Sequence, residues 1–122
     1  MHYAYIGLGN LGANCAACLQ RAGFELTVFD LNREAAEPLI AAGAHWADSA
    51  ADAAARADHV ITCLPSPAVT RRVLDQILPA MKPGATWIEM STLGRDDVLA
   101  FAKVAEAGGM RMLELPVTGG VH

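Results

Sequence analysis

The chain is poor in charge. Only 18% of its 122 residues are charged, against 53% hydrophobic. Lysine is rarest among the cations, with Lys82 and Lys103 the only two, and Arg71-Arg72 is the only basic pair. With a net charge of −4 and no basic stripe, nothing here suits a phosphate backbone, which excludes nucleic acid as an expected partner. Long apolar runs are missing too. None approaches the roughly 18 residues of a membrane span, so no membrane partner is expected. The first residues, Met1-His2-Tyr3-Ala4, lack the basic flank of a signal peptide. Cysteine is scarce and odd in number, with three residues, as in a reduced compartment. A cytoplasmic protein is the expectation.

Cys15 and Cys18 form a C-x-x-C, the spacing of a redox or metal pair. No second C-x-x-C or histidine pair completes a zinc site. Both are expected as small hydrophobes on one face of a helix, and Cys63 as core at a strand end.

What the chain has in abundance is alternation. Short β-branched or aromatic runs alternate with alanine-rich stretches closed by glycine. Strands are expected at Tyr3 to Gly7, Glu25 to Phe29, Ala44 to Trp46, His59 to Leu64, Ala85 to Met90 and Met110 to Leu115. Helices are expected at Leu11 to Ala22, from an Asn32 cap to Ala42, from a Ser49 cap to Ala57, from Pro67 to Leu78, and at Arg95 to Ala107. Glycines 23, 43 and 108 stop three of them. Six strands and five helices predict an α/β fold: one doubly wound parallel sheet, ordered 3-2-1-4-5-6, over residues 1–122 as one domain. Strands buried on both faces explain the apolar composition. A domain this size buries roughly two-thirds of its unfolded surface, enough for a core without staples.

Gly7-Leu8-Gly9-Asn10-Leu11-Gly12 matches G-x-G-x-x-G. Alone the pattern is weak, but here it follows a strand and opens a helix, as the dinucleotide-binding Rossmann fold requires. Gly7 permits the tight turn, Gly9 lets a pyrophosphate approach, and Gly12 lets helix and strand pack closely. The helix N-terminus offers unpaired N–H groups to phosphate. Asp30 ends the second strand, near the spacing of about 20 residues at which a carboxylate binds the adenosine ribose hydroxyls. It also repels a 2′-phosphate, which favours NAD. Arg33 lies three residues on and leaves NADP open.

Together with Ala16, Ala17, Leu19 and Val28-Phe29-Asp30, the loop resembles the 3-hydroxyisobutyrate (β-hydroxyacid) dehydrogenase family, with its 6-phosphogluconate dehydrogenase-like NAD-binding domain. Three later blocks are similar as well: Cys63-Leu64-Pro65 with Val69 and Val73, Glu89-Met90-Ser91-Thr92, and Glu114-Leu115-Pro116-Val117-Thr118-Gly119-Gly120. The resemblance implies that Leu64, Pro65 and Val69 line the adenine-side and ribose crevice at the carboxyl ends of the strands and that Thr92 reaches the nicotinamide end. It implies that Thr118, Gly119 and Gly120 bind a substrate carboxylate and hydroxyl. The family usually has Asp at position 89, Asp-Ala at 114–115 and Ser at 118, so the substrate is left open. The family's catalytic lysine lies in a later helix, followed by a helical substrate and dimerisation domain. Neither is in this sequence, so no catalytic residue is assigned here. The expected function is the NAD-binding domain of an oxidoreductase moving a hydride to or from a small 3-hydroxyacid, the chain alone inactive and its parent a homo-oligomer. The alternatives are a non-catalytic dinucleotide-binding regulatory module and part of an imine reductase.

Overall fold

The computed structural model describes residues 1–91 and 93–115. Six parallel strands form one sheet: β1 (His2–Ile6), β2 (Glu25–Phe29), β3 (His45–Trp46), β4 (His59–Thr62), β5 (Thr86–Glu89) and β6 (Arg111–Glu114). Their order is β3-β2-β1-β4-β5-β6, so the chain reverses direction across the sheet between β1 and β4. This is the expected Rossmann topology. Five helices connect the strands: α1 (Asn10–Arg21), α2 (Glu37–Ala41), α3 (Ala50–Ala55), α4 (Pro67–Ile77) and α5 (Arg95–Ala107). No helix among the described residues is long and apolar enough to cross a membrane.

The two-residue period of a strand sends alternate side chains to opposite faces. Ala4, Ile6, Val60 and Trp87 enter one apolar cluster, with Ala50, Ala53 and Ala54 of α3, Leu74 and Ile77 of α4, and Phe101 of α5. Tyr5, Val28 and Ile61 enter the other, with Ala16 of α1 and Leu39 of α2. Each face therefore carries its own core. The alanines of α3 let that helix lie close to the sheet and to α4.

Four local expectations change. The helix expected from Asn32 to Ala42 is broken. Asn32 does cap, its Oδ1 accepting the Glu34 N–H at 3.1 Å, but the next residues, Arg33–Ala36, form a 3₁₀ turn. Pro38 has no N–H to donate, so it fits only a first turn, and α2 restarts at Glu37. β4 ends at Thr62, two residues early, because the chain turns away toward Pro65. Cys18 does not share the burial of Cys15. Cys15 is half-buried against the second cluster, whereas Cys18 is exposed with Arg21 Nη2 3.1 Å from its sulfur. Three residues of helix rotate one side chain by about 300°, enough to move Cys18 past the buried edge. Cys63 is half-buried rather than fully core.

Candidate functional site

β1 runs straight into the glycine loop. Gly7 has φ of +99°, and a Cβ there would lie 2.2 Å from the Cys63 carbonyl oxygen. Glycine is required twice over, by backbone angle and by space. A Cβ on Gly12 would lie 2.2 Å from the Gly7 carbonyl oxygen, so α1 packs against the turn only without a side chain. Gly9 differs from both: no atom lies within 4 Å of where its Cβ would be. It faces open space and caps α1 without any side-chain hydrogen bond. α1 also has no acidic residue in its first turn, so its positive end faces the opening uncompensated.

Asp30 follows β2 and ties down this loop. Its Oδ2 accepts the Leu8 N–H at 2.7 Å and its Oδ1 accepts the Asn32 N–H at 2.8 Å. The Gly7 N–H donates to the Phe29 carbonyl at 3.1 Å, a second tie between the loop and β2. A carboxylate has about four acceptor sites, so two remain for hydroxyl donors.

These residues line one cleft of about 760 Å³ at the carboxyl ends of β1, β2 and β4. Gly7, Leu8, Gly9, Asn10, Leu11, Gly12 and Asp30 form one wall; Leu64, Pro65 and Val69 belong to the other. Ligands of doubly wound sheets bind at such a reversal of strand order. Thr92, Thr118, Gly119 and Gly120 lie outside the described residues. Arg33 is not in the cleft lining; its Cζ lies 5.3 Å from the ring centre of Trp46.

Several parts of the lining escaped the sequence reading, Asp48, Ser49 and Ala50 among them. Leu31 is 93% exposed, a large apolar side chain at the cleft mouth. Arg72, Val73 and Gln76 extend the Val69 face of α4 into the cleft. Their spacing of three, four and seven from Val69 was the available signal, the helical period that puts them on one face. Cys63 also lines the cleft, but burial first, then the neighbouring Cys15 and Glu89, push its thiol up. That shift disfavours the thiolate, the nucleophilic form.

The family model described as the NAD binding domain of 6-phosphogluconate dehydrogenase matches residues 2–122. Among curated proteins, the NAD-dependent L-serine dehydrogenase of Pseudomonas aeruginosa is 42% identical over 120 residues, covering 96% of this chain and 40% of that protein. The 3-hydroxyisobutyrate dehydrogenase of the same organism is 36% identical over 121 residues, covering 97% of this chain and 41% of that protein. A solved Mycobacterium tuberculosis 3-hydroxyisobutyrate dehydrogenase with L-serine superposes with a TM-score of 0.94 at 40% identity, covering 98% of this chain and 41% of that one. The chain thus spans about 40% of the length of the curated relatives it matches. Both the cleft's glycine-lined wall and these matches lead to one conclusion: the chain belongs to the 6-phosphogluconate dehydrogenase-type NAD-binding domain family.

Proposed function

We propose that this chain is the cofactor-binding part of an NAD-dependent dehydrogenase of small 3-hydroxyacids. The observation that carries the reading is the joining of Asp30 to the glycine loop at the mouth of one cleft. The residues fit a dinucleotide. Gly9 leaves open space beside the uncapped end of α1, which suits a pyrophosphate. Asp30 has acceptor capacity left for ribose hydroxyls and none to offer a 2′-phosphate. Leu31 and Val69 give apolar cover for the adenine. When bound, the nicotinamide supplies the hydride acceptor; the protein supplies position and exclusion of water. The relatives that act on 3-hydroxyisobutyrate and L-serine support a small 3-hydroxyacid as substrate.

The proton transfer belongs to a group outside this chain. Lys82 lies 3.8 Å from Asp58, which precedes β4 at the amino end of the sheet, opposite the cleft. Lys103 is on α5, and neither lysine lines the cleft. A missing general acid/base costs about 10²–10⁴-fold in rate. The chain alone should therefore bind cofactor but show no NADH formation from 3-hydroxyisobutyrate or L-serine in an absorbance assay. We place the protein in the cytoplasm, where free Cys15, Cys18 and Cys63 stay reduced, and its full assembly as a homo-oligomer.

Titration calorimetry tests the cofactor assignment. NAD(H) should bind more tightly than NADP(H). Asp30→Ser should weaken NAD by about 1.5–3 kcal/mol, the worth of a charge-assisted bond, and narrow the preference. Tighter binding of NADP to the unaltered chain would sink the reading and direct attention to Arg33.

A further inference from the structure

One buried carboxyl in this fold is not used by the cleft and has no basic partner among the described residues. Glu89 is 0% exposed at the end of β5, paired in register with Thr62 of β4 and Glu114 of β6. A leucine would fill such a space without the desolvation cost of a carboxyl, so packing alone does not account for it.

Its hydrogen bonds form a directed chain. The Trp87 indole N–H, which can only donate, donates a hydrogen bond to Thr62 Oγ1 at 2.9 Å. The Thr62 hydroxyl in turn donates to Glu89 Oε2. On the other oxygen, Glu89 Oε1 accepts the Ser91 N–H at 2.5 Å. The Ser91 hydroxyl oxygen then accepts the Leu64 N–H at 2.6 Å. One side chain thus fixes the turn after β5, and that turn fixes the cleft residue after β4.

The position gives the chain its meaning. A dinucleotide with its pyrophosphate on the β1–α1 loop and its adenosine ribose at Asp30 has one half over β2. The other half must run over the far side of β1, where β4 and β5 end. The Ser91 turn lies there. We propose that Glu89 is a positioning residue, holding the Ser91 turn at the end of β5 in the arrangement that receives the nicotinamide half of the cofactor. The proposal rests on the dinucleotide reading above.

The test compares NAD⁺ with AMP, which occupies only the half held by the glycine loop and Asp30. Both are titrated against the full chain and against Glu89→Gln. Glu89→Gln, whose amide replaces one of the two accepting oxygens with a donor, should lose about tenfold in NAD⁺ affinity, while AMP changes less than about twofold. Glu89→Asp, which keeps the carboxylate, should retain NAD⁺ affinity to within about threefold of the unaltered chain. If thermal melting shows Glu89→Gln unfolded, Thr62→Val carries the same comparison, since it frees Oε2 and leaves the carboxyl in place. Equal losses of NAD⁺ and AMP mean a merely structural role, and unchanged NAD⁺ affinity means no role; either overturns the proposal. An unaltered chain that binds AMP and NAD⁺ equally weakly, or not at all, overturns the dinucleotide reading and this proposal with it.

Discussion

Three glycines within six residues do three different jobs, and the structure separates them by space. Gly7 and Gly12 have backbone oxygen 2.2 Å from a would-be Cβ; Gly9 has nothing within 4 Å. Backbone cannot move aside as a flexible side chain can. Gly12→Ala should therefore destabilise the fold by about 1–3 kcal/mol, the usual cost of overpacking, seen as a lower denaturant midpoint. Gly9→Ala has no positive φ and no clash to relieve, so its midpoint should match the unaltered chain. Its NAD affinity should fall at least tenfold, because the methyl group enters the space a phosphate needs. Calorimetry that finds NAD binding intact in Gly9→Ala would remove the phosphate from that loop. The loop was legible in the sequence because glycine spacing encodes backbone geometry directly. Leu31 was not, because its place at the cleft mouth depends on elements distant in sequence; Arg72 was encoded only in its helical spacing from Val69.

α5 matched its expected span with no side-chain cap at Gly94, whereas a serine marks the start of α3 and of α4. Ser49 and Ser66 each accept a backbone N–H, from Asp52 at 3.0 Å and Val69 at 3.2 Å. Both helix starts fall where the hydroxyl stands in the sequence. The stretch after Asn32 was legible at its cap and illegible beyond it, since Pro38 fits a first turn or breaks a running helix, and composition does not choose. α4 matters most to the site, because Val69 in its first turn and Arg72 in the next line the cleft. Ser66→Ala leaves the Val69 N–H without its side-chain acceptor, although the backbone bond from the Thr70 N–H to the Ser66 carbonyl remains. The expected cost is about 1 kcal/mol. For a domain of this size that is a fall in Tm of about 3–6 °C in a calorimetric scan. No change in Tm would mean that the first turn of α4 is held by packing alone.

Across the whole molecule, the sheet order followed from the glycine loop at β1 and the alternation of elements, whereas the wiring between strands did not. Glu89 was visible only as a departure at one position; its burial depends on β4, β5 and β6 lying side by side, which is tertiary. That burial has a consequence for stability against pH. Desolvation raises the Glu89 pKa above the ordinary glutamate value; bonds from Ser91 and Thr62 pull the other way, and Glu114 adds to the rise. A raised carboxyl contributes stability that is full below its unfolded pKa and is lost as pH rises through its folded value. Asp58 acts in the opposite sense. The His2 N–H bond, helped by Lys82, lowers its pKa, so its contribution is present above the ordinary aspartate range and fades as pH falls through the lowered value. Asp58 is exposed and solvent screens it, so its share is the smaller. Stability should therefore decline as pH rises above the ordinary glutamate value and through the raised folded value of Glu89. Glu89→Gln cannot ionise, so its thermal midpoint should be nearly flat across that window, with the two curves converging at the acid end. The comparison is a series of melting curves at constant ionic strength. A decline that persists unchanged in Glu89→Gln would assign the pH dependence to some other group.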